Sequence, residues 1–151
     1  MRYEFAVGIK TGDLCWINGP YLCGQKNDLS IFREGLKTCL EDGERVEADD
    51  GYIAEDPISC RTRTGISSMY SDEEQKGVRN TVRARQETAH KRMKQFGSLS
   101  GIFRHDLDLH SNFVYAVATL TQIIFEMGEP LFDVEYNTTT NTLLEAVQNR
   151  G

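Results

Sequence analysis

The chain has little of what builds a ready-made site. Its 151 residues include four cysteines, three histidines, three prolines and one tryptophan. Cys15, Cys23, Cys39 and Cys60 form no Cys-x-x-Cys pair and have no histidine close by in sequence, which argues against a zinc site. Reduced, partly buried thiols are expected instead. No Gly-rich phosphate loop leads into a helix, and there is no nucleophile elbow. No apolar run is long enough to cross a bilayer: the best, Phe113 to Met127, is short and interrupted by Thr119, Thr121 and Gln122. The opening Met1-Arg2-Tyr3-Glu4 carries no apolar signal-peptide core. A soluble, intracellular protein with no membrane partner is expected.

A basic excess is lacking too, since net charge is −6. The average hides an asymmetry. Between 76 and 104 stand Lys76, Arg79, Arg83, Arg85, Lys91, Arg92, Lys94 and Arg104 against a single acid, Glu87. That segment is +7 and the remainder −13. A basic stripe on an acidic body focuses a field, aimed either at phosphates or at the protein's own acidic surface.

Hydrophobic periodicity predicts an α/β chain of one domain size. Tyr3, Phe5, Val7 and Ile9 alternate with Glu4, Ala6, Gly8 and Lys10, the pattern of a half-buried strand. Thr11-Gly12-Asp13 reads as a turn, Leu14–Asn18 as the returning strand, and Gly19-Pro20-Tyr21 as its end. Asn27 or Asp28 caps a helix running to Asp42, with Gly43 beyond it. Short strands are predicted over 45–48 and 58–62. Ser71-Asp72-Glu73-Glu74 is a capping box opening a long helix to Phe96. A second helix over Ser111–Met127, stopped by Gly128, is apolar nearly all round, so it is expected to be central or covered by a partner. A strand over Leu131–Tyr136 and a frayed helix over Leu143–Asn149 complete the reading.

Two acidic landmarks carry the chemistry. Asp49 and Asp50, in Ala48-Asp49-Asp50-Gly51-Tyr52, stand at the end of a predicted strand, where active sites of α/β folds gather. Hard cations such as Mg²⁺ take one or two carboxylates plus water and substrate phosphates. The plain alternative is turn chemistry for Asp-Asp-Gly. Glu87 shares a helix face with Arg83, His90, Lys91 and Lys94. It reads either as a metal ligand among phosphate-binding cations or as half of a surface Glu87–Lys91 pair. His90 is expected to face solvent, Arg104-His105-Asp106 to cap or pair, and Trp16 and Tyr21 to pack the hairpin.

Four strings, in order, resemble one family: Trp16-Ile17-Asn18-Gly19-Pro20-Tyr21; Gly24-Gln25-Lys26-Asn27-Asp28-Leu29-Ser30-Ile31-Phe32-Arg33; Glu47-Ala48-Asp49-Asp50-Gly51-Tyr52; and Arg85-Gln86-Glu87-Thr88 running into Lys91-Arg92-Met93-Lys94-Gln95-Phe96. Gly128-Glu129-Pro130-Leu131-Phe132 adds a fifth match. Together they resemble the C-terminal part of the DDE superfamily endonucleases, in the Harbinger-type transposase group. The resemblance implies an RNase H-like mixed sheet with flanking helices. It also implies a DNA partner, a nuclear location, and three carboxylates holding Mg²⁺ or Mn²⁺ for in-line displacement at phosphorus. Asp49 matches the second acid and Glu87 the third, with 37 residues between them. Asp50 is then a neighbour and Asp28 a further acid before the first helix. Arg83, Lys91 and Lys94 track phosphates.

The first acid of that family lies on a strand upstream of the Tyr3–Lys10 segment. Asp13, in a hairpin turn, and Asp106 and Asp108, beyond the long helix, do not match it. A domain over 1–136 lacking its first, central strand is therefore expected, followed by a polar, flexible tail over 137–151. With one carboxylate missing, little or no nuclease activity is expected. The alternative function is a non-catalytic DNA-binding or protein-interaction domain using the basic helix 76–104.

Overall fold

A computed structural model of the chain describes residues 1–55, 60–61 and 73–135. The fold is mixed α/β. Strand β1 (Arg2–Val7) pairs antiparallel with β2 (Leu14–Tyr21), in register Phe5 opposite Ile17 and Ala6 opposite Trp16. Gly12, at φ 83°, closes the turn by donating its N–H to Gly8 O at 2.8 Å, a backbone geometry that glycine adopts without a Cβ penalty. A second pair is parallel: β3 (Val46–Glu47) with β4 (Cys60–Arg61). Among the described residues β1 and β3 each have a single strand neighbour.

Helix α1 spans Asp28–Glu34 and is capped by Asn27, whose side chain accepts from the Ser30 N–H at 2.8 Å. It is shorter than predicted. At Gly35 the backbone leaves helical geometry (φ −114°, ψ −103°), and a Cβ there would lie 2.3 Å from Asn18 Nδ2. The close approach of β2 breaks the helix, and the chain resumes as a 3₁₀ turn over Leu36–Cys39. A second 3₁₀ turn, Asp50–Tyr52, follows β3.

Helix α2 (Glu73–Lys94) is the long basic helix, α3 (Gly97–Ser100) follows it, and α4 (His110–Met127) is stopped at Gly128, φ 141°. The predicted capping-box residues 71 and 72 lie outside the described residues, as does the tail from 136 on.

The main core sits where α2 and α4 meet the hairpin. Ala89, Phe125 and Leu131 pack with Val7 and Leu14; Met93, Val117 and Ala118 pack with Phe5 and Ile17. Ile31 and Phe32 of α1 are each 1% exposed, burial that stabilises by about 1.5–3 kcal/mol per side chain.

Several expectations need correction. Helix α4 is central on one face only, the other being the face that a partner is expected to cover: Val114, Val117, Thr121 and Phe125 face inward, while Leu120, Ile123, Ile124 and Met127 are exposed. The returning strand runs on through Gly19 and Pro20 to Tyr21 instead of stopping at Asn18. Residues 131–135 form no strand; Leu131 plugs the core instead. Three of the four cysteines are exposed, and only Cys60 is buried. Burial, with Glu55, Glu47 and Asp49 nearby, pushes the Cys60 thiol up to about 12, so it stays protonated and inert. No described helix is long and apolar enough to cross a membrane.

Candidate functional site

A cleft of about 900 Å³ runs between the two strand pairs. It is lined along β1 by the unbroken run from Tyr3 to Thr11 and along the other side by the run from Gly43 to Asp49. Side chains of a strand alternate between faces. A run that lines without a gap therefore presents a strand's edge. Helix α1 adds Ile31 and Phe32, and α2 adds Val82, Arg83, Glu87 and His90.

The cleft gathers most of the residues that the sequence singles out. Asp28, Asp49 and the α2 pair Arg83 and Glu87 come from three separate stretches of chain and all line it. Asp49 caps the 3₁₀ turn, its Oδ1 accepting the Gly51 N–H at 2.9 Å. The turn chemistry and the cleft position thus hold together. Asp28 is no cap; it lies in the first turn of α1 and pairs with Arg2 at 3.2 Å. Glu87 is exposed at the rim, and among the described residues no ion pair joins it to Lys91. Asp50, Lys91 and Lys94 lie outside the lining. Asp13, Asp106 and Asp108 are also outside it. Asp13 instead accepts from Gln122 Nε2 at 2.8 Å; a hydrogen bond with Thr11, and after it the one with Gln122, holds its carboxyl below the usual range.

The basic stripe does not act as one surface. Arg85 is 3% exposed and donates from Nη1 to Ile9 O at 2.5 Å, bracing the hairpin turn. Arg79 lies 3.9 Å from Glu47, and Arg92 lies 3.8 Å from Glu129 with its guanidinium over the Phe125 ring. Lys91 and Lys94 remain exposed. His90, expected in solvent, is half-buried with its ring edge-on to Phe5 at 5.6 Å. Burial, with Lys94 nearby, lowers its pKa. Trp16 does pack the hairpin, donating from Nε1 to Glu4 Oε2 at 2.8 Å.

Two cleft residues escaped the sequence reading. Glu4 stands there only as an alternating position of a half-buried strand, and Arg45 only as the first residue of a short one. Yet the buried side-chain atoms without a hydrogen-bond partner, among the described residues, are Glu4 Oε1, Arg45 Nε and Nη1, Arg85 Nε and His90 Nε2. All four residues line the cleft. Such atoms cost about 1–3 kcal/mol each when left unmet, so their concentration in one place is a chemical signature.

The described residues contain no set of three or more His, Cys, Asp or Glu side chains able to hold a metal ion together. Two carboxylates suffice for a Mg²⁺ that keeps its waters and takes substrate phosphates, but they fall short of a two-metal centre. Comparison with protein-family models, with curated proteins and with solved structures found no match to this chain.

Proposed function

We propose that the chain carries part of a divalent-metal-dependent DNA nuclease centre of the DDE, Harbinger-transposase type, on an RNase H-like scaffold. The observation that supports this reading is the convergence of Asp28, Asp49, Arg83 and Glu87 on one cleft. Asp49 and Glu87 are two of the three carboxylates such a centre needs. Arg83, beside Glu87 on α2, binds a phosphate. No described acid completes the set, so no catalytic step is assigned and the chain alone is inactive or nearly so.

Titration with Mn²⁺, followed by paramagnetic broadening of amide signals, tests the reading. Broadening centred on Asp49 and Glu87, and lost in Asp49→Asn and Glu87→Gln, is expected. Supercoiled plasmid in Mn²⁺ stays uncut. Broadening elsewhere, or none, overturns the metal site. Nicking that Glu87→Ala abolishes overturns the inactivity.

A second reading, DNA binding without chemistry, draws support from the exposure of Lys91 and Lys94 beside Arg83. It predicts salt-sensitive binding that Lys91→Ala weakens alike for all DNA sequences. Metal-dependent binding would count against it.

A further inference from the structure

We propose that the exposed side of α4 is a self-association surface. A second copy of this chain seats its own α4 there, antiparallel, about a two-fold axis between Leu120 and Ile123. The pairing is independent of the nuclease reading and of the DNA-binding one.

Three observations carry it. The first is a spacing. Phe113, Ala116, Leu120, Ile123 and Met127 are all exposed and follow one another at intervals of three, four, three and four. That alternation is the a/d seam of paired helices, whose side chains enter holes on a facing helix. It is a row distinct from the inward one of Val114, Val117, Thr121 and Phe125, and Met127 on it is 82% exposed. The spacing selects a helix as the occupant.

The second observation concerns which helix that is. Helix α2 exposes Asn80, Glu87, Lys91 and Lys94, a polar face that cannot fill an apolar seam. Outside the described residues, 136–151 holds four apolar side chains, Leu143, Leu144, Ala146 and Val147, all within five positions. The seam on α4 runs through fifteen residues, from Phe113 to Met127. The stretches 56–59 and 62–72 are shorter than that seam. The sequence that matches it in length and spacing within this chain is α4 itself. Paired antiparallel, Leu120 meets the partner's Ile123 and Ala116 meets the partner's Met127. Small faces large, and the same patch serves both copies, as a two-fold interface requires.

The third observation is charge. Helix α4 has no Lys or Arg, and its one acid is Glu126. A parallel pair would set the two Glu126 carboxylates side by side and align the helix dipoles. The antiparallel pair opposes the dipoles and separates the carboxylates by about 13 Å along the axis, beyond the screening length of about 10 Å. At about 27 Å long, one pair of helix faces falls at the small end of specific interfaces, below about 1,200 Å² in all. Association is therefore reversible, with a dissociation constant of about 10–100 μM.

Sedimentation velocity of the full chain, from about 1 to 500 μM, tests the pairing. Dithiothreitol keeps the exposed Cys15, Cys23 and Cys39 from linking copies by disulfides. A concentration-dependent monomer–dimer equilibrium is expected. Leu120→Glu and Ile123→Lys change exposed positions, so each should keep the parent's circular dichroism. Each alone should associate about tenfold more weakly or worse. An equimolar mixture of the two should regain association, because Glu at 120 then faces Lys at 123 across the axis. A parent that stays monomeric throughout overturns the proposal, and is the result expected if residues 136–151 cover the face instead. Dimerisation that both folded variants leave unchanged overturns it too. A mixture that fails to regain association overturns the antiparallel register.

Discussion

The two sides of the cleft are held by different physics. On one side, the β1–β2 hairpin, α2 and α4 share an apolar core built on Ala89, Phe125, Met93, Val117 and Ala118. On the other, α1 and the turns around β3 bury Ile31 and Phe32, with Tyr52 edge-on to Phe32 at 5.6 Å. That side is fastened by charge. The Glu55 side chain is 3% exposed and accepts from Arg33 Nε at 2.7 Å and Lys37 Nζ at 2.5 Å. Apolar burial is non-directional and is not weakened by ionic screening, whereas ion pairs depend on geometry and on a desolvation cost. The expectation is that the first wall opens as one rigid unit and the second loosens on its own.

Deleting a core side chain from the first wall tests this most severely. Phe125 is 7% exposed, lies beneath the Arg92 guanidinium and packs on Ala89 and Leu131. Phe125→Ala should cost about 3 kcal/mol or more in urea unfolding, through lost transfer energy and a residual cavity. Hydrogen exchange should accelerate across β1, α2 and α4 together. Confinement of the acceleration to α4 would break the idea of a single rigid wall.

In the second wall the corresponding change is Glu55→Gln. It keeps the shape and removes the charge that Arg33 and Lys37 share. Those partners are 49% and 37% exposed, so water takes over part of their solvation and the loss is discounted to about 1–2 kcal/mol. Faster exchange should be confined to α1 and the turn after it. A global loss as large as that of Phe125→Ala would erase the difference between the walls.

What was legible in the sequence follows the same division. Helix α4 and the hairpin carry strong periodicity and clear stop signals, and their limits were found to within a few residues. Asp49, Glu87 and Arg83 were identifiable as residue types at a strand end and on a basic helix, and the fold brings them to one cleft. Three things were hidden because they depend on tertiary approach. The break at Gly35 is set by Asn18 crossing from β2, which no window around 35 contains. The fate of the basic stripe turned on Ile9, Glu47 and Glu129, distant carbonyls and carboxylates that draw Arg85, Arg79 and Arg92 away from a common surface. The buried polar atoms of Glu4 and Arg45 are invisible to periodicity, which reads a charged residue in a strand as solvent-facing.

The mildest effect expected is that of His90, where the rigid wall meets the cleft. Its ring is half-buried against Phe5, and burial, with Lys94 nearby, lowers its pKa below the 6.5 of an unfolded chain. Between those two pKa values the unfolded state binds more protons than the folded one, so stability rises with pH there. The stability tied to neutral His90 is complete above about pH 6.5 and is lost as pH falls through its folded pKa. His110 shifts in the same direction, also through burial, and contributes a drift of the same sign. His90→Gln removes one titration and leaves the other. Urea midpoints measured from pH 7.5 down to 5 should therefore fall less steeply in the variant than in the parent. Identical slopes for parent and variant would mean that His90 is solvated, and that the rigid wall ends short of the cleft.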